Sequence, residues 1–443
     1  MQTVLIHAPF CTPASPPYSL AYLYSFLQRN GHRQLGIIDL NLEYHRQHYS
    51  KYFAKLQHTV DLKALLKETS KEYAATHRTI RKGREPEDTE QFINNILETK
   101  ANTAVFSIVY SSQAFYAYAL IKKLKEKGIT TIIGGPAVTP QLAGLADLHL
   151  NNEIELLEAL QHKPVNHENL DCRTLLDYSA FPLHKYFSPQ PVLPIKTCTA
   201  CYYQRCAFCT HHQSTPYREF SLHDIATTIK KSGQTYFFFI DDMIHKKRLL
   251  DLAAIIQPLG IRWMCQLRPT RELDKNTLQT LYDAGLRVVL WGVESGSQRV
   301  LDLMNKGTKV CDISRVLQNA KDVGITNVTF IMFGFPTETT EEFLQTIQFL
   351  KNNSYSIDLV STSVFGLQRN APAFNNPQQY GINTIHTEQR DLLDTKITYT
   401  PTSGLTTNEA AALKRKYTKT LQRINKVAKE MNFFREHLLT SKD

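Results

Sequence analysis

The stretch Cys198–His212, "CTACYYQRCAFCTHH", places four of the chain's eight cysteines within twelve positions. Disulfides, a zinc site and an iron–sulfur centre are the three chemistries that use such a cluster. The N-terminal stretch "MQTVLIHAPFCTPASPPYSL" lacks the basic region and long apolar core of a secretory signal, so a cytoplasmic location is expected. Thiols there stay reduced, which disfavours disulfides. Zinc would want a second pair of ligands on a separate knuckle, and His211 and His212 stand beside the thiolates instead. The spacing Cys201-x4-Cys206-x2-Cys209 suits an iron–sulfur cluster wrapped by one loop.

Working outward, the loop directly follows the apolar run "PVLPIKT", the first of six candidate strands. The others are "TYFFFID", "IRWMCQL", "RVVLWGV", "TNVTFIMFG" and "DLVSTSVFG", with helical stretches such as "NTLQTLYDAG" between them. Six βα units predict a partial parallel barrel over residues 191–400, whose chemistry belongs at the C-terminal strand ends. Upstream, "TVLIHAP", "QLGIIDL", "TAVFSIVY", "TTIIGGP" and "DLHLN" alternate with helices closed by glycine. They predict an open Rossmann-like parallel sheet over residues 1–162, with a helical insertion at 41–100. Residues 163–190 read as a linker, and 401–443 as a helical C-terminal tail.

No window of about 18 apolar residues occurs, so no membrane span is expected. Composition, 42% hydrophobic and 21% charged, is that of an ordinary globular protein. The net charge of +10 gathers in stretches such as "KRKYTKTLQRINKVAKE" and "HRTIRKGRE", read as solvated faces. No RNA-binding motif accompanies them, so nucleic acid is not an expected partner.

The cysteine loop resembles that of the radical S-adenosylmethionine (radical SAM) enzymes, in the wider-spaced variant usually written as a GCYW-type loop. "FFFIDDMI", "WMCQLRP", "LWGVESGSQRVLDLMNKGT" and "FIMFGFPTETTEEF" resemble the family's later strand ends, in order. The resemblance implies that Cys201, Cys206 and Cys209 hold a 4Fe–4S cluster with one iron open to S-adenosylmethionine, and leaves Cys198 spare. It sets Phe208 against the adenine, Asp241 or Asp242 at the methionyl amino group and Arg268 at the carboxylate. Glu294 and Ser295 would meet ribose hydroxyls, and Lys306 would face the cofactor. Strand alternation in "IRWMCQLR" puts Met264, Gln266 and Arg268 on one face and Cys265 on the other. Alanine stands at position 200, where the variant loop has glycine.

The N-terminal stretches "APFCTPASPPYSLAYLYSFLQRNGH", "IIDLN", "FSIVYSSQ" and "IIGGPAVT" resemble the cobalamin-binding subfamily. That resemblance implies a corrin at the strand ends, beside Ser111, Ser112, Gln113, Gly134 and Gly135. No DxHxxG motif is present, and "NNEIE" replaces the usual GEGE-like turn. The expected activity is reductive cleavage of S-adenosylmethionine to a 5′-deoxyadenosyl radical, with cobalamin-dependent methylation or rearrangement of an unactivated carbon. A cobalamin-free oxidoreductase or peptide-modifying enzyme, and a non-enzymatic metal-binding module, are the alternatives. Expected partners are a small-molecule or peptide substrate and an electron donor such as flavodoxin or ferredoxin.

Overall fold

The computed structural model describes residues 2–56, 60–211 and 215–440. The chain divides into two compact units, one of Met1–Val192 with Lys231–Gly233 and Gln389–Thr395, the other of Leu193–Lys230, Gln234–Glu388 and Lys396–Asp443.

The first unit is built on five strands: β1 Thr3–His7, β2 Leu35–Asp39, β3 Thr103–Ser107, β4 Thr130–Gly134 and β5 Leu148–His149. Their order is β2-β1-β3-β4-β5, all parallel, with Thr3 opposite both Leu35 and Thr103. Every residue of β1 and β3 is buried, as expected of central parallel strands covered on both faces. The segment between β2 and β3 holds the helices Leu40–His48, Ser50–Phe53, Leu62–Arg81 and Thr89–Glu98. The segment read as a linker carries no strand, yet it is packed rather than free. Tyr178, Phe181, Tyr186 and Phe187 are buried, the Tyr186 hydroxyl donates to Asp39 at 2.9 Å, and the Phe187 N–H donates to the Pro13 carbonyl at 2.7 Å.

The second unit holds six strands in sequential order: β6 Val192–Ile195, β7 Tyr236–Phe239, β8 Arg262–Leu267, β9 Leu286–Glu294, β10 Thr326–Phe333 and β11 Leu359–Val364. Pairing from β7 through β11 is parallel. Among the described residues no pairing joins β11 back to β6, so the barrel is partial. Its core centres on Trp263, Trp291, Phe237, Phe239 and Phe333, all fully buried. Each indole N–H has an acceptor: Trp263 donates to the Ala284 carbonyl at 2.8 Å and Trp291 to Asn327 Oδ1 at 2.7 Å. Buried tryptophan is tolerated here because those donors are satisfied.

Two features differ from the sequence expectation. Residues 382–401 form a two-stranded hairpin, β12 Ile382–Arg390 and β13 Leu393–Pro401. The tail is not one long helix but the short helices Thr407–Lys416, Thr418–Ile424 and Arg435–Thr440, and residues 441–443 lie outside the described set. The break has a cause. Asn425 leaves the helical region so that its side-chain oxygen accepts the Val360 N–H at 2.9 Å, covering a donor on edge strand β11.

Asn327 is the polar pivot of this core: its Nδ2 donates to the carbonyls of Leu317 and Ser356, while its Oδ1 serves Trp291. Asn327→Leu strands one donor and two acceptors in a dry interior and should lower stability by about 3 kcal/mol. Denaturant melts would show it as an earlier midpoint; an unchanged midpoint would refute the role given to this side chain.

Candidate functional site

The loop after β6 is gripped at its entry. Asp241, just past β7 and only 3% exposed, accepts the N–H of Thr197 at 2.8 Å and that of Cys198 at 2.8 Å. The Cys198 thiol donates to the same carboxylate at 3.1 Å. Burial and the neighbouring carboxylate push that thiol well above its ordinary range, so it stays protonated. Arg248, also buried, donates to the Thr197 carbonyl at 3.0 Å and to the Phe220 carbonyl. Asp241 therefore serves the loop's own backbone, which corrects its expected role at a methionyl amino group: its oxygens are committed and shut away from ligand. Asp242 is half-buried and lies 2.6 Å from His211 Nδ1, and that bond raises the imidazole's pKa. His212 lies outside the described residues.

Further along, the loop is stitched to the segment after β9. Ala207 donates to the Met304 carbonyl at 2.9 Å, and Tyr203 hydroxyl donates to the Asn305 carbonyl at 2.9 Å. Gly307 makes room for that tyrosine, since a Cβ there would stand 2.2 Å from its hydroxyl. Ala200 adopts φ +23° and Gln204 φ +54°, so the glycine of the variant loop is replaced by a residue under backbone strain. Cys201 is buried, Cys206 and Cys209 are half-buried, and none is in a disulfide. Burial pushes the Cys206 thiol up to about 11, against the pull of the Lys306 ammonium, and burial also raises Cys209. Among the described residues no three His, Cys, Asp or Glu side chains converge on one ion. Ligands to a cluster of several irons need not meet at a point. Three soft donors on one loop, one buried and two half-buried, beside an ammonium suit the anionic, thiolate-bound cluster.

At the end of β9, Glu294 sits at φ +68° and its Oε1 lies 2.8 Å from Lys306 Nζ. Lys306 is buried and Glu294 half-buried; desolvation would lower the lysine's pKa, but the facing Glu294 carboxylate and the nearby Cys206 sulfur outweigh it and raise it. A Cβ on Gly292 would come within 2.8 Å of that ammonium, so glycine is required for the pair to close. The Lys306 ammonium stands 5.7 Å from the Phe208 ring. Arg268 lies over Tyr203, 3.5 Å from the ring centre, donates to the Lys306 carbonyl at 3.3 Å, and leaves its Nε without a partner. Met264 and Cys265 are both fully buried, so the two faces of β8 are dry there. Ser295 corrects its expectation. It is fully buried with its hydroxyl 3.1 Å from Thr346 Oγ1, and serves the packing of the helix Thr340–Asn352, not a ribose. Phe208 joins an apolar wall with Met332, Phe374 and Tyr380.

In the first unit, the expected corrin residues split. Ser111 is exposed beside Tyr110, itself 53% exposed, and Gly135 is exposed. Gln113 is fully buried: its Oε1 accepts the N–H groups of Val109 and Tyr110, and its Nε2 donates to the Ala8 carbonyl. Ser112 donates to the Phe10 carbonyl at 2.6 Å. Both hold the turn, which corrects their expected contact with cofactor. At Gly134 and Gly135 the close neighbours are the protein's own backbone. Cβ atoms there would stand 2.8 Å from the Leu150 carbonyl oxygen and 2.4 Å from that of Ile108. Asn152 has an extended backbone and caps the helix Glu153–Gln161, so "NNEIE" forms a helix N-cap.

Sequence reasoning missed Tyr203, Arg248 and Glu338. Tyr203 stands in the quoted loop and Glu338 in "FIMFGFPTETTEEF", but neither motif says where the side chain turns. Arg248 lies in a helix with no motif at all.

Residues 195–350 match the family model described as the radical SAM superfamily, so the chain carries a radical SAM domain. Its fold is that of two cobalamin-dependent members. OxsB, solved with aqua-cobalamin and S-adenosylmethionine, superposes with a TM-score of 0.64 at 15% identity, covering 98% of this chain and 70% of OxsB. TsrM of Kitasatospora setae, a methyltransferase solved with cobalamin and a [4Fe-4S] cluster, gives 0.63 at 14%, covering 88% and 81%. At such identities the likeness is one of fold. Sequence relatives include an uncharacterized methyltransferase of Pyrococcus horikoshii, 25% identical over 56% of this chain and 63% of that protein. Bacteriochlorophyllide d C-8(2)-methyltransferase of Chlorobaculum tepidum is 24% identical over 54% and 61%. The chain thus spans less than two thirds of either relative's length.

Glu338, after β10, is fully buried; desolvation holds its carboxyl at about 7, against the Gly334 N–H that it accepts, and its Oε1 has no partner. The folded state therefore binds this proton more tightly than the unfolded chain. Its contribution is neutral below about pH 4.5, falls as pH rises towards 7, and stays unfavourable above, by about 3 kcal/mol at most. Glu338→Gln keeps the acceptor and removes the charge. Melting temperatures should match wild type at pH 5 and exceed it at pH 8; equal values at both would show the carboxyl is not perturbed.

Proposed function

We propose that this protein is a radical enzyme that uses a 4Fe–4S cluster on Cys201, Cys206 and Cys209 to cleave S-adenosylmethionine reductively and to methylate an unactivated carbon of a small molecule. The observation that carries the reading is the placement of those cysteines on one loop at the barrel's strand ends, tied to the segment bearing Lys306 and beside Glu294. When bound, the cluster would supply the electron that breaks the sulfonium bond, and a corrin would carry the methyl group.

The chain's own residues have definite tasks. Arg268, spread over Tyr203 with an unpartnered Nε, offers a fork to the methionyl carboxylate. Glu294, neutralised by Lys306, can accept a ribose hydroxyl. Phe208 and the wall of Met332, Phe374 and Tyr380 keep water from a carbon radical. Asp242, half-buried at the end of β7, can take the amino group. In the first unit, Tyr110, Ser111 and Gly135 would face a corrin, held without an axial histidine.

Methylation is supported by the named methyltransferases among the relatives, and a small substrate by TsrM, which has been solved with tryptophan. A flavodoxin or ferredoxin would deliver electrons. No described helix is long and apolar enough to cross a membrane, and eight unpaired cysteines fit a reducing cytoplasm. One observation favours a cobalamin-free reading: the close approaches at Gly134 and Gly135 are already filled by backbone.

Anaerobically reconstituted protein should hold iron and sulfide and make 5′-deoxyadenosine from S-adenosylmethionine with a strong reductant. Replacing Cys201, Cys206 and Cys209 with alanine should abolish both. Arg268→Ala should weaken S-adenosylmethionine binding at least about tenfold with the cluster spectrum unchanged, the loss of a charged bidentate contact. Added hydroxocobalamin should stay bound through desalting; its loss would favour the cobalamin-free reading.

A further inference from the structure

The cluster loop contains a fourth thiol that the three-ligand reading must keep out. Cys198 precedes Cys201 by three residues, within a chain reach of about 10 Å, shorter than the five-residue span from Cys201 to Cys206. Its sulfur lies 3.7 Å from the Ala200 carbonyl oxygen, beneath the loop itself. A fourth thiolate would complete the all-cysteine ligand set of an ordinary electron-transfer cluster.

We propose that Asp241 is a positioning residue that locks Cys198 away as a hydrogen-bond donor, leaving one iron open for S-adenosylmethionine. The inference rests on the cluster reading above. Its support is the way residues 197 and 198 are held on every side. Asp241 Oδ1 accepts both backbone N–H groups at 2.8 Å and the thiol at 3.1 Å, and Thr197 Oγ1 adds a fourth bond at 3.2 Å. Arg248 fixes the Thr197 carbonyl from the other side. Cys198 also bridges to Glu219, whose carboxylate is held by His245 at 2.7 Å and by the Tyr217 hydroxyl at 2.9 Å. With its backbone fixed on both sides, Cys198 points its sulfur at the carboxylate. Were the lock released, ligation would form one iron–sulfur bond at the open iron and release the thiol proton to solvent, with no change of oxidation state.

Asp241→Asn keeps one oxygen that accepts both backbone N–H groups and the thiol, so it spares the scaffold and weakens the lock only by removing the negative charge that favours the thiol over the thiolate. Wild type, Asp241→Asn, Cys198→Ser and the double variant would be reconstituted with iron and sulfide. The electron paramagnetic resonance spectrum of each reduced cluster would then be followed as S-adenosylmethionine is titrated. Wild type and Cys198→Ser should respond. Asp241→Asn should hold as much iron and sulfide but need at least about tenfold more S-adenosylmethionine to respond, and the double variant should recover to within about threefold of wild type. An Asp241→Asn spectrum that responds as wild type does would overturn the proposal. So would a double variant as unresponsive as Asp241→Asn, or loss of iron from both Asp241 variants. Wild-type protein that takes up no iron and sulfide would overturn the cluster reading itself, a result visible before any variant is made.

Discussion

The ion pair between buried Lys306 and half-buried Glu294 is the constraint on which the site depends. A charge moved from water into a protein interior costs several kcal/mol unless it is closely paired, so the Lys306 ammonium depends on Glu294. Closing the pair at 2.8 Å has structural consequences. Glu294 takes a left-handed backbone at the very end of β9, the β9–β10 register shifts beside it, and position 292 must lack a side chain. In return, the segment Met304–Gly307 is fixed, and that segment supplies the carbonyls that receive Ala207 and Tyr203 of the cysteine loop. Strain at Glu294 is thus tied to the placement of the loop that bears the thiols, the pattern expected where a site over-determines its own geometry.

Much of the architecture was legible because parallel βα repeats write themselves as apolar runs separated by amphipathic stretches closed with glycine. Ten of the eleven barrel and sheet strands stand where such runs occur with at least four residues; "DLHLN" yields only the two exposed residues Leu148–His149, since it lies at a sheet edge. The hairpin at 382–401 was not legible. Most of β12 is exposed, and the inward face of β13 is only half-buried up to Tyr399 and carries few apolar residues, so the hydrophobic period gives a weak signal there. The tail's segmentation was hidden for another reason: Asn425 breaks the helix to satisfy a distant strand, and a local pattern cannot encode a tertiary acceptor.

The site divides in the same way. Spacing and order carried the cysteines, and the pairing of Glu294 with Lys306 follows from residues brought within reach across a twelve-position gap. Direction was not legible. Asp241 and Asp242 are adjacent in sequence, yet one is buried under the loop entry and the other faces His211. Ser295 adjoins Glu294, yet its hydroxyl turns to Thr346. Neighbours at a strand end point to opposite sides of the sheet, so a motif that names both can place only one at a ligand.

The same distinction governs the first unit. Gln113 and Ser112 were expected at a cofactor because they follow a strand, but a turn at that edge must first satisfy its own backbone. Gln113 takes two N–H groups through Oε1, and its Nε2 is engaged by the Ala8 carbonyl and His7 Nδ1, which leaves nothing for a ligand. What remains available is the side chain whose polar groups the turn does not consume together with the apolar face beside it. At this edge those are Ser111 and the half-exposed ring of Tyr110. A corrin, large and mostly apolar, is better served by such a ring than by a buried amide, so the loss of Gln113 from the candidate list narrows the cofactor reading without weakening it.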